Sequence, residues 1–305
     1  MKKYDYNIIG AGAMGHLWAC SLLGAGFESS LYCREPRPRQ KIELISGASH
    51  SIQTVDYGTL IQWQQARVVM ICVKAHQLEA LCQQLSSLVR DDSTVILMMN
   101  GLGLIEICRR YLPSVTILHA SITHGAYLEA GPQGQRLIHT GTGETLLGNL
   151  RTDYDPLQFN ELIQQLDRAL ASARWNPEHQ QSMHLKLVIN AIINPLTALS
   201  GLANGSILQN ARLNPAAQAL LFELSPLLKL ILPRLTISQV KRNIEKIAAD
   251  THANLSSMLQ DVRAGKKTEI EHINGYLIKL AGQHQIELPQ HARIVQDIKA
   301  LAPQF

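Results

Sequence analysis

The first hundred residues alternate between two textures. Short runs at 5–10, 27–33, 67–73 and 94–99 are rich in apolar residues, as in Arg67-Val-Val-Met-Ile-Cys-Val73. The intervening stretches at 14–25, 76–89 and 103–111 are apolar every third or fourth position. Runs without in–out alternation predict strands covered on both faces, and the 3.6-residue periodicity predicts the covering helices. Strand and helix in strict alternation imply a doubly wound sheet with right-handed crossovers.

After Leu118 the pattern changes. Residues 119–149 are rich in Gly, Thr and His, with strand-like pieces at 137–140 and 144–148 that would extend or edge the sheet. A helix over 156–171 and a short segment at 173–176 complete this part, and Pro177 is a plausible boundary. From 178 onward the period is helical, with helices expected at 178–200, 215–231, 238–250, 253–264 and 268–285. The expected architecture is an α/β N-terminal Rossmann-type doubly wound domain (1–177) followed by an all-α C-terminal domain (178–305). A ligand is then expected in the interdomain cleft, outside the carboxyl ends of the strands.

One helical stretch breaks its own pattern. In His184-Leu-Lys-Leu-Val-Ile-Asn-Ala-Ile-Ile-Asn-Pro195, the residues Lys186, Asn190 and Asn194 recur every four positions among almost uniformly apolar neighbours. They share one helical face. Polar groups in such surroundings need hydrogen-bond partners, from the protein or from a ligand. Pro195 weakens the backbone bonding of its own helix, so a bend just after Asn194 is expected.

A second signal lies at the first strand–helix junction. Gly10-Ala11-Gly12-Ala13-Met14-Gly15 is G-x-G-x-x-G between strand and helix. Gly10 permits the tight turn, Gly12 the approach of a pyrophosphate, and Gly15 close packing of helix on strand. The helix N-terminus offers free N–H groups to the phosphates. About 20 residues on, where an NAD-binding chain places an acid, stands Arg34, with Arg37 and Arg39 nearby. A guanidinium suits the 2′-phosphate of NADP, although Glu35 lies one residue from the acidic position.

Bulk properties narrow the function classes. With 305 residues, 46% hydrophobic and 17% charged, the chain is long enough for two cores and too apolar for disorder. The net charge of +4, without a basic cluster interleaved with aromatics, argues against nucleic acid as a partner. The five cysteines form no C-x-x-C, and no apolar signal core precedes the first strand. No uncharged run reaches spanning length, so a cytoplasmic protein without membrane partner is expected. The twelve histidines show neither H-x-x-x-H nor H-E-x-x-H, and no metal is expected; only His119 and His124 are expected near the cleft.

Further polar positions fall at element ends. Lys74 and Asn100 follow buried strands, where binding residues collect, although Asn100-Gly101 by itself reads as a turn. Asn254 and Ser257 would lie one helical turn apart. Thr268 is a candidate cap for the last helix, with Glu269 at its positive dipole end.

Taken together, these segments identify a resemblance that spans essentially the whole chain. The segments are Gly10 to Gly15, Val73-Lys-Ala-His-Gln77, Asn100-Gly101, Lys186 to Ala198, Asn204-Gly205, Asn254 to Asp261 and Thr268 to Gly275. The chain resembles the ketopantoate reductases (2-dehydropantoate 2-reductases), NADPH enzymes of pantothenate synthesis with a 6-phosphogluconate-dehydrogenase-like fold. The resemblance implies that Lys186 donates the proton to the ketone oxygen. It implies substrate binding by Asn190, Asn194, Asn204, Asn254 and Ser257. Cofactor contacts would come from the glycine loop, Arg34, Lys74, Asn100, Ala126 and Glu269, with Glu269 at the junction of cofactor and substrate. His76 departs from the larger aromatic expected there. The implied partners are NADPH/NADP and a small 2-ketoacid, for a monomer or homodimer. Two alternatives remain open: a paralogous reductase of another branched 2-ketoacid or imine, and a non-catalytic NADP-sensing protein, which has no need of Lys186 with Glu269.

Overall fold

Strands with no polar face need cover on both sides, and they receive it. The computed structural model describes residues 5–63, 65–131, 134–149 and 155–301. The first part runs β1 (Tyr6–Ile9), α1 (Ala13–Gly24), β2 (Ser29–Tyr32), β3 (Gln40–Ser46), β4 (Ser49–Gly58), β5 (Val68–Ile71), α2 (Leu78–Leu85), β6 (Thr94–Leu97) and α3 (Leu104–Tyr111). It continues with β7 (Thr116–Ile122), β8 (Gly125–Gly131), β9 (Gly134–Gly141), β10 (Thr145–Gly148), α4 (Asn160–Ala169) and β11 (Ala173–Trp175). Among the described residues the sheet order is β11-β10-β7-β6-β5-β1-β2-β4-β3-β9-β8. The segment β2-β1-β5-β6-β7 is entirely parallel.

Alternate residues of these strands feed two different cores. Tyr6, Ile8, Met70, Ile96 and Leu118 pack with Leu17, Trp18 and Leu22 of α1 and Leu166 of α4. Ile9, Val69, Ile71, Val95, Leu97 and Ile117 pack with Leu78 and Cys82 of α2 and Ile105 and Cys108 of α3. Burial on both faces is why the runs lack alternation.

The sequence reading misses β3 and β4 altogether. They pair antiparallel through a two-residue turn in which Gly47 takes φ +56°, a conformation open to glycine. Most of their residues are polar and half-exposed, and only alternate positions such as Ile42, Leu44, Val55 and Tyr57 face the core, so the apolar signal is short and weak. β3 also pairs with β9, which forms a hairpin with β8. The expected helix at 156–171 is shorter, with a 3-10 turn at Pro156–Phe159 before α4.

Contact clustering divides the chain into two units. One comprises residues 1–100 and 104–180, the other 101–103 and 181–305. The second holds α5 (His179–Ser200, its first two residues in the other unit), α6 (Ser206–Gln209), α7 (Leu213–Glu223), α8 (Ser225–Ile231), α9 (Ile237–Asp250), α10 (Ser257–Arg263), α11 (Ile270–Gln283) and α12 (Pro289–Leu301). The single helix expected over 215–231 is two, because Pro226 sits in the first turn of α8, the helical position that tolerates a missing N–H. The helix expected over 253–264 begins only at Ser257, capped by Ser256, whose Oγ accepts from Leu259 N–H at 3.2 Å. Asn254 therefore lies before the helix and not on its face. α6 and α12 were not foreseen. Among the described residues no helix is long and apolar enough to cross a membrane.

Pro195 lies inside α5 without ending it. Its missing N–H leaves the carbonyl of Ala191 without the usual helical donor. Asn274 of α11 supplies a replacement, donating Nδ2–H to Ala191 O at 2.9 Å.

Candidate active site

In the first unit the glycine loop is built by steric exclusion. Gly10 has φ +113°, and a Cβ there would come 2.7 Å from the carbonyl oxygen of Cys72. A Cβ on Gly15 would overlap the carbonyl oxygen of Gly10, so α1 is held directly on the end of β1. Gly12 differs: a Cβ there would meet no heavy atom within 4 Å. Its side of the loop is open, as the approach of a ligand backbone demands. Gly12 caps α1 without a side-chain hydrogen bond, and no acid occupies the first turn. The uncapped N–H groups and the positive dipole end suit an anion. This cradle fits the pyrophosphate of a dinucleotide.

Behind the loop, buried His16 lies with Nδ1 2.9 Å from Gly12 O and Nε2 2.7 Å from Tyr57 Oη. Burial lowers its pKa, which keeps the ring neutral. Arg34 is exposed in the bend after β2 and makes no ion pair with any described residue. Arg39 is engaged with Asp56 at 2.7 Å. Of the sequence-predicted cofactor residues, Lys74 is half-buried after β5, its N–H donating to Gln77 Oε1 at 3.1 Å. Asn100 is half-buried after β6. Ala126 of β8 packs on the same core as Ala11, Ala13 and Met14.

The second unit carries the polar stripe. α5 is continuous from His179 to Ser200, so Lys186, Asn190 and Asn194 lie on one face of it. Asn194 is 7% exposed, and Asn190 and Lys186 are half-buried. Among the described residues neither the Asn190 nor the Asn194 carboxamide has a hydrogen-bond partner. Their polar atoms are not among those shut off from solvent without a partner, so both amides stay open to a ligand. Burial pushes the Lys186 ammonium down to about 8, opposed by the charge of Glu269. Glu269 is itself 6% exposed. It stands at the N-cap position of α11, but its side chain makes no cap, and neither does Thr268. Glu269 thus stands at the positive dipole end of α11, and its charge also raises the Lys186 pKa.

Of the remaining predicted substrate residues, Asn204 and Asn254 are joined by a hydrogen bond. Asn204 N–H donates to Asn254 O at 3.0 Å, and Asn204 Nδ2 to Thr251 Oγ1 at 3.0 Å. Asn204 Oδ1 is buried without a partner. Asn254 and Ser257 are exposed. Sequence reasoning missed two residues that fix this arrangement. Thr197 Oγ1 lies 2.8 Å from Ser256 Oγ, linking the end of α5 to the start of α10. Neither the cap of α10 by Ser256 nor its tie to Thr197, 59 residues away, was read from the sequence. Gly101 takes φ +106° against the backbone of His272, so Asn100-Gly101 is more than a local turn.

The dinucleotide cradle of the first unit and the half-buried lysine of the second are each suited to a nucleotide-dependent oxidoreductase. Residues 6–152 match the family described as "Ketopantoate reductase PanE/ApbA", and 178–302 match "Ketopantoate reductase PanE/ApbA C terminal"; the chain belongs to the ketopantoate reductase family. It is 34% identical to a 2-dehydropantoate 2-reductase of Vibrio cholerae, over 96% of each chain. It is 29% identical to that of Salmonella typhimurium, over 96% of this chain and 93% of the relative. In fold it is similar to D-mandelate dehydrogenase solved with NADH and anilino(oxo)acetate, at TM-score 0.86 and 20% identity over 97% of both chains.

Proposed function

We propose that this chain reduces 2-dehydropantoate (ketopantoate) to pantoate with NADPH, and that Lys186 donates the proton. The observation that carries this reading is the depressed ammonium of Lys186, near 8, beside the unpartnered Asn190 and Asn194. The bound nicotinamide supplies the hydride to the C2 carbonyl carbon. Negative charge then grows on the former carbonyl oxygen, where Lys186 stabilises it and delivers its Nζ proton. Glu269 keeps the ammonium charged near neutrality. Asn190, Asn194, Asn204, Asn254 and Ser257 are polar groups suited to the carboxylate and hydroxyl of a small branched ketoacid. A substrate lacking those groups would leave these polar groups, Asn204 Oδ1 among them, without their partners, which is a basis for discrimination. The open side of Gly12 at the N-terminus of α1 takes the pyrophosphate, and Arg34 the 2′-phosphate of NADPH. Lys74, Asn100 and Ala126 serve the rest of the cofactor.

The test follows NADPH absorbance with ketopantoate for the wild type and Lys186→Ala. A loss of about 10²–10⁴-fold in kcat is expected for removal of a general acid. Undiminished turnover in the variant would end the lysine's role, and a panel in which another 2-ketoacid gives the higher kcat/KM would reassign the substrate.

A further inference from the structure

Three polar side chains in the first unit form a chain of contacts that the reaction above does not use. Gly143 N–H donates to His124 Nδ1 at 3.1 Å. A backbone N–H is always a donor, so His124 Nδ1 carries no proton and the neutral ring must carry it on Nε2. His139 Nε2 lies 3.2 Å from the same Nδ1 and therefore donates to it. His139 Nδ1 is left as an acceptor, 2.9 Å from the hydroxyl of Ser46. The backbone closes this arrangement, since a Cβ on Gly143 would overlap the Thr123–His124 peptide. Each link fixes the tautomer of the next.

At the end of the chain stands the Nε2–H of His124. The residue is 6% exposed, and Nε2 has no hydrogen-bond partner among the described residues. A buried donor without an acceptor is rare in native structures.

Its place in the fold says what could meet it. His124 stands in the two-residue link between β7 and β8, and β2, β1, β5, β6 and β7 are parallel neighbours. The carboxyl ends of these strands form one edge, which carries Arg34, Gly10, Lys74 and Asn100; β7 runs on past it, and His124 lies five residues beyond His119, the register partner of Leu97. Ligands of open parallel sheets bind along that edge. A dinucleotide with its pyrophosphate on the N-terminus of α1 and its adenosine 2′-phosphate at the end of β2 would extend its nicotinamide half the other way, toward β5, β6 and β7.

We propose that the Nε2–H of His124 is a hydrogen-bond donor to the carboxamide oxygen of the bound nicotinamide, an inference that rests on the reading of this chain as an NADPH enzyme. Burial, reinforced by His139, pushes the His124 pKa down to about 4, so the donor is neutral near pH 7. A neutral N–H matches an uncharged carbonyl, whereas a phosphate is better served by a cation.

Two variants separate this role from a structural one. His124→Asn keeps an acceptor near Nδ1 for Gly143 but removes the donor; His124→Gln places an amide N–H near the Nε2 position. Binding of NADPH, and of 2′,5′-ADP, which lacks the nicotinamide half, is measured by fluorescence and competition. The expected result is an NADPH Kd about tenfold higher for His124→Asn, the worth of one hydrogen bond. His124→Gln stays near wild type, and 2′,5′-ADP binds all three proteins equally. Equal NADPH affinity for His124→Asn and wild type, equal weakening in both variants, or weakened 2′,5′-ADP binding would overturn the proposal. Wild-type protein that binds neither ligand would instead remove the cofactor reading on which it rests.

Discussion

Asn274 donates Nδ2–H to the carbonyl of Ala191 at 2.9 Å, the very carbonyl that Pro195, four residues on, has no N–H to serve. The same Nδ2 lies 2.9 Å from His291 Nδ1, and His291 Nε2 donates to Leu220 O at 3.2 Å. Asn274 and His291 are fully buried. A side chain on α11 thus completes the backbone of the helix that carries Lys186.

Replacing Asn274 by Leu should therefore cost about 1–3 kcal/mol, because it leaves a buried carbonyl and a buried imidazole nitrogen unpaired. Urea unfolding measures it. Adding Pro195→Ala returns a backbone N–H to Ala191 O, so the double variant should recover part of the loss. Strict additivity of the two changes would show that Asn274 and Pro195 are not coupled.

The acid of the proposed reaction sets a pH limit. Lys186, pushed down to about 8, holds its proton below that pH and loses it above. Reductase kcat/KM should be flat near neutrality and fall tenfold per pH unit above about 8. The charge of Glu269 raises this pKa, so Glu269→Gln should move the break to lower pH. A break that stays in place would separate Glu269 from the lysine's titration.

Two glycines of the loop should respond oppositely to alanine. A Cβ on Gly15 overlaps Gly10 O, so Gly15→Ala should destabilise the fold by about 1–3 kcal/mol or more. A Cβ on Gly12 meets nothing within 4 Å, so Gly12→Ala should keep its Tm yet bind NADPH about tenfold more weakly, as the methyl intrudes where the pyrophosphate lies. Thermal melts paired with NADPH titrations tell the two apart.

Cofactor choice rests on Arg34. Arg34→Ala should weaken NADPH by about tenfold or more while leaving NADH unchanged, since only NADPH carries the 2′-phosphate. Arg39→Ala should do less, because Asp56 already engages that guanidinium at 2.7 Å. Parallel losses for both nucleotides would place the phosphate elsewhere.

Much of the fold was legible because its signals are local. β1, β2, β5 and β6 lie within the apolar runs, and α5 within the periodic stretch at 178–200. β3 and β4 escaped because only a few alternate positions, Ile42 and Leu44 in β3 and Val55 and Tyr57 in β4, reach the core, among many polar neighbours. The split at Leu224 was marked by Pro226, though a long apolar stretch outweighed it. At the site, the four-residue spacing of Lys186, Asn190 and Asn194 was readable for the same reason as the helix itself.

The sequence alone determined which residues share a strand or a helical face, because backbone periodicity acts over a few residues. It also determined the glycine loop, since only glycine escapes the Cβ clashes at Gly10 and Gly15. Tertiary structure alone decided that Glu269 acts on Lys186, that Thr197 meets Ser256 and that Asn274 stands in for the N–H of Pro195. These partners lie 59 to 83 residues apart. Over such separations no local spacing rule operates, and only the packing of one helix against another chooses which polar groups meet.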